Sequence, residues 1–148
     1  MADIGHRVGI NAPVHKVYEA LTTVDGIASW WTRDAEGDAG LGGKLTLFFG
    51  KPEPSAVMEV IELDTNRLVS WQCIDGPAEW VGTRVDFVLK ESDTETVLVF
   101  THSNWKEPVE FMHHCSTKWA QFLIGLKLFL EGGKSASCPD DVRISSWS

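Results

Sequence analysis

The chain has 148 residues, 43% hydrophobic and 23% charged, ordinary values for one domain with a core of its own. Its formal net charge is −8, and no Lys/Arg cluster offers the basic face that nucleic acid or an anionic membrane surface requires. Cys73, Cys115 and Cys138 show no CxxC or Cys/His ligand spacing, so no disulfide framework, metal or other cofactor is expected, and free thiols point to the cytoplasm.

The opening residues lack a charged-then-apolar leader, and no apolar run approaches the ~20 residues of a membrane span. Ile4 to Ile10 alternates apolar and polar positions and predicts a strand. Asn11-Ala12-Pro13 then signals a helix start, because proline at the first helical position gives up an N–H that lacks a partner anyway. Val14, Val17, Tyr18 and Leu21 recur at helical spacing, and a second short helix is predicted around Asp25 to Trp31. Gly37 to Gly43 lacks the Gly-Lys-Ser/Thr ending of a phosphate cradle and reads as a connector.

Five strand-like runs follow: Lys44 to Phe49, Ala56 to Leu63, Arg67 to Ile74, Trp80 to Lys90 and Thr96 to Asn104. The turn-forming spacers between them are short, so consecutive strands must pair antiparallel. A long helix is predicted from about Phe111 to Glu131, stopped by Gly132-Gly133. With Trp119 as reference and about 100° per residue, Met112, Cys115, Phe122, Leu123, Leu126 and Leu130 fall within about 60° of it and form one apolar stripe. Ile124 and Leu128 lie near the opposite face. Either the tail folds back over them, or they touch a second subunit in a homodimer, or they are simply exposed. The expected organisation is α+β, a curved antiparallel sheet of about six strands around the long helix. Residues 1–134 form the domain, and 135–148 a Ser-rich tail with partial order.

Several segments together resemble the START-like, helix-grip superfamily, in the branch related to the C-terminal domain of activators of the ninety-kilodalton heat-shock chaperone's ATPase. They are Ile10 to Leu21 followed by Trp30-Trp31, Met58-Glu59-Val60 leading to Arg67-Leu68-Val69-Ser70-Trp71, Thr101-His102-Ser103, and Trp119 to Glu131. Where that family often has Gly before the Trp, this chain has Lys118. The resemblance implies a helix held in the grip of a bent sheet with a cavity between them. It does not select a function, since members include lipid carriers, hormone-binding proteins and cyclases.

An apolar ligand, lipid-like or aromatic, is the first expectation, with a wall drawn from Trp71, Phe87, Phe100, His102, Trp119, Phe122, Leu123 and Leu126. Seven Trp and seven Phe against one Tyr fit either such a wall or a core filled with rings. His102 shares a strand face with Leu98 and Phe100. It is either a ligand-bonding group or general base, which would make a cyclase- or hydrolase-like enzyme, or a core histidine with satisfied nitrogens. His113, His114 and Cys115 are adjacent on a helix and cannot converge on one ion. Cys73 reads as a buried inert thiol, and Arg84, Asp86 and Glu59 as parts of a solvated outer face. A third expectation is a chaperone-regulating interaction module. Relatives with that role carry a separate N-terminal domain, and none is expected before Ile4.

Overall fold

Apolar alternation becomes strand and apolar stripe becomes helix in the computed structural model, which describes residues 2–148. The elements in order are β1 (Ala2–Ile10), α1 (Val14–Thr22), α2 (Val24–Trp30), β2 (Asp34–Gly37), β3 (Lys44–Phe48), β4 (Ala56–Asp64), β5 (Leu68–Asp75), β6 (Arg84–Glu91), β7 (Thr96–Trp105) and α3 (Glu110–Leu130). The strands make one curved antiparallel sheet in the spatial order β1-β7-β6-β5-β4-β3-β2. Register shifts between Val57 and Met58 and between Val60 and Glu62 interrupt the β4–β5 ladder; irregularities of this kind bend a strand and increase its twist.

Two elements differ from the sequence expectation. β2 is a seventh strand, pairing Asp34 with Phe48 and Gly37 with Leu45 at the sheet edge. Its sequence Asp-Ala-Glu-Gly has neither the alternation nor the β-branched residues that mark a strand, and only its partner's free edge recruits it. The run from Trp80 does not begin as a strand either. Trp80 accepts the Thr83 amide over 2.9 Å, Gly82 takes a positive φ of 88°, and β6 starts at Arg84. The glycine-rich segment is the β2–β3 connection, and it docks on β4 through reciprocal main-chain bonds of 2.9 Å, Gly42 to Val60 and Val60 to Gly43.

The inner face of the sheet carries a transverse row in which Val60 faces Trp71, Trp71 faces Val85, Val85 faces His102, and His102 faces Ile4. All five are buried. Over this row lies α3, burying Met112, Cys115, Trp119, Phe122, Leu123 and Leu126. The helix ends in a Schellman arrangement: the Gly133 amide bonds the Leu128 carbonyl over 2.8 Å, and the Gly132 amide bonds that of Phe129 over 3.2 Å. Gly132 adopts the φ of 91° that this ending requires.

The tail does not cover Ile124 and Leu128, which are 51% and 47% exposed, with Phe129 at 41% beside them. It runs the other way, along the N-terminal half of α3. The Cys138 amide bonds the Trp31 carbonyl over 2.8 Å and the Cys138 carbonyl accepts the Arg33 amide over 3.0 Å.

Candidate functional site

The space between sheet and helix is largely filled by indoles. Trp31 stacks on Trp71 with centroids 5.7 Å apart and 5° between planes, and it also touches Trp119 at 4.9 Å. Trp30 meets Phe87 edge-on at 6.1 Å, and Phe100 meets Trp119 at 4.7 Å. The pair Trp30-Trp31 therefore plugs the middle of the grip from the end of α2. Trp71, Phe87, Phe100, Leu123 and Leu126 are buried, and among the described residues the Trp71 indole N–H has no hydrogen-bond partner.

His102 is buried within this layer, and both its ring nitrogens are engaged. The Trp119 indole, which can only donate, gives its N–H to His102 Nδ1 over 3.1 Å. That assigns the imidazole proton to Nε2, which lies 2.8 Å from Thr83 Oγ1. The Thr83 hydroxyl in turn donates to the Trp80 carbonyl over 2.5 Å. A relay thus runs from helix α3 through β7 to the turn before β6. Burial pushes the His102 pKa down to about 3, so at neutral pH the imidazole is uncharged and its basic nitrogen is already occupied.

A cavity of about 450 Å³ lies beyond the plug, toward the N-terminal half of α3. Trp31, Trp119 and Phe122 meet it from the core, Phe49 and Trp80 from the sheet side. The β3–β4 connection adds Lys51, Glu53 and Pro54, and Phe111, His114 and Lys118 come from α3. Cys138, Asp141, Trp147 and Ser148 of the tail also line it. Of the eight wall residues expected from the sequence, Trp119 and Phe122 reach this cavity and the other six do not line it.

The sequence shows Trp31 and Trp80 as aromatic but does not assign them to the wall. It carries no signal for Phe49, Phe111 or the tail residues, because only the tertiary fold brings them together. Lys118 stands out in the sequence only as the departure from the related family's glycine, which bears on helix–sheet approach and does not assign it to the wall.

Polar groups near the cavity have separate surroundings. His114 stacks on Phe111 at 5.9 Å, and burial followed by the nearby Lys118 charge lowers its pKa. Cys115 accepts the Trp80 indole N–H over 3.4 Å, and burial raises its thiol to about 11. His113 faces solvent. Lys118 Nζ bonds the Asp141 carboxylate, the Val142 carbonyl at 2.9 Å and the Ser148 carbonyl at 3.1 Å. On the outer sheet face Arg84 bonds Asp86 at 2.9 Å and Glu62 at 3.2 Å, away from the cavity.

A bent antiparallel sheet gripping a long C-terminal helix, with an aromatic cavity at one end, defines a helix-grip protein. The chain belongs to the Activator of Hsp90 ATPase homolog 1-like family, whose profile matches residues 11–131. Among solved structures it is similar to the Aha1 dimer of Colwellia psychrerythraea, at 44% identity and a TM-score of 0.83, covering 91% of this chain and all of that one. The fold is shared with SSP2350 of Staphylococcus saprophyticus, at 19% identity and a TM-score of 0.76 over 93% of this chain and 98% of that one. It is shared also with CalU16 of Micromonospora echinospora, at 22% identity and a TM-score of 0.74 over 90% of this chain and 76% of that one. No curated protein matches the chain significantly. Among the described residues no helix is long and apolar enough to cross a membrane.

Proposed function

We propose that this chain binds an apolar small molecule, lipid-like or aromatic, at the open end of the sheet–helix interface. The observation that carries the reading is the cavity of about 450 Å³ bounded by Trp31, Trp80, Trp119 and Phe122. Ligand sites are characteristically concave, mostly apolar and equipped with few polar groups, with volumes of roughly 300–1,000 Å³. In this reading Trp119 and Phe122 touch the ligand. Trp71, Phe87, Phe100, Leu123 and Leu126 form the layer that supports them. His102 positions Trp119 and does not move protons, since a cyclase- or hydrolase-like role needs its Nδ1 free of the indole.

Native mass spectrometry of freshly purified protein tests for a retained ligand. Titration with a lipid and aromatic panel should quench tryptophan emission saturably and raise the melting temperature, as binding to the native state must. A broad panel that shifts neither signal overturns the reading. Three buried, unpaired thiols favour the cytoplasm as the place where this occurs.

A homodimer through Ile124 and Leu128 is supported by their exposure beside Phe129 and by the dimeric state of the Colwellia relative. The family name also supports a chaperone-regulating role, for which stimulated chaperone ATPase on mixing is the test. An unchanged rate counts against it.

A further inference from the structure

We propose that Lys118 is an anchor for a carboxylate-bearing apolar ligand, and that residues 141–148 occupy that place as an internal ligand which the acid displaces. The proposal rests on the cavity reading above and gives the ligand class. Lys118 and Asp141 are each only 13% exposed in their side chains, and a shielded ammonium requires a fixed anionic or carbonyl partner. The hydrogen-bond acceptors described for it, the Asp141 carboxylate and the Val142 and Ser148 carbonyls, all come from the tail. From its own helix Lys118 meets the Phe122 ring, 5.4 Å from the ammonium to the centroid. With the tail displaced, none of the protein acceptors described for Lys118 remains on the cavity rim, and a ligand carboxylate there takes the place that the Asp141 carboxylate vacates.

The same segment also presents an aromatic group. Trp147 meets His114 edge-on at 5.7 Å and Phe111 at 6.2 Å, so ring and carboxylate address one wall together, as an apolar acid does. The segment is separable from the rest of the tail. Main-chain bonds hold the chain as far as Cys138, and Asp140 adds an exposed pair with Arg33. Beyond that point Lys118 is the principal polar attachment of the tail to the helix.

The test uses the full chain with cis-parinaric acid and its methyl ester as fluorescent probes. The acid is expected to bind about tenfold more tightly than the ester, the effect of one hydrogen-bonded charge. Lys118→Met should bring the two affinities together by weakening the acid alone, while Lys118→Arg restores the preference and controls for folding. Asp141→Asn should tighten the acid several-fold, by removing its competitor, and leave the ester unchanged. Equal binding of acid and ester overturns the anchor and leaves the cavity reading standing. Failure of both probes to bind overturns the anchor and counts against the cavity as well. Unchanged acid affinity in Asp141→Asn overturns the displacement.

Discussion

Trp119 donates its indole N–H to Nδ1 of His102 across 3.1 Å, joining the centre of the long helix to the inner face of β7. Because the indole has no acceptor, this one bond fixes the histidine tautomer and directs the remaining proton toward Thr83. The bond accounts for how a polar residue sits inside an aromatic core without an orphaned atom.

Trp119→Phe keeps most of the ring and deletes the donor. His102 Nδ1 is then buried without a partner, which should cost about 1–3 kcal/mol. Urea denaturation should show the midpoint fall with an unchanged slope; an unaltered midpoint would show that the bond contributes nothing net.

Stability should fall with acid through His102. Burial holds its folded pKa at about 3, below the 6.5 of a solvated imidazole, so the unfolded chain binds the extra proton. The contribution is fully present above pH 6.5 and is lost as pH falls toward the folded value, at about 1.4 kcal/mol per pH unit for one proton. His114 is shifted in the same direction, so the comparison is between the wild type and His102→Gln. The variant should show a shallower acid slope, and parallel slopes would refute the assignment.

Trp31→Ala should remove the plug. The indole bridges Trp71 and Trp119, and its loss should destabilise by about 3–5 kcal/mol through cavity formation. Apolar probes should then bind in larger size classes than the wild type accepts. A variant that retains the wild-type size limit would show that Trp31 does not set the depth of the site.

Ile124→Glu with Leu128→Lys should leave the fold intact, since both side chains are about half exposed. Sedimentation should report a dimer for the wild type and a monomer for the double variant. A wild-type monomer at all practical concentrations would remove the dimer reading.

The long helix was legible because Trp119, Phe122, Leu123 and Leu126 repeat with its period and Gly132-Gly133 stops it. The meander was legible because turns as short as Asp64-Thr65-Asn66 allow only antiparallel neighbours. β2 was not legible, since Asp34 to Gly37 becomes a strand only by pairing with β3. Trp80 looked like strand because its turn depends on Gly82 and on a hydroxyl bond from Thr83, neither visible as a pattern.

The sequence by itself determined the α+β architecture, the apolar stripe of α3 and the aromatic character of the interior, because periodicity and turn chemistry act over a few neighbouring residues. Tertiary structure alone decided which rings fill the grip and which line the cavity. Trp31 and Trp71 are far apart in sequence yet stacked, and Lys118 meets Asp141 only because the tail returns along the helix. Contacts of that range depend on where several elements end at once, and no local pattern carries that information.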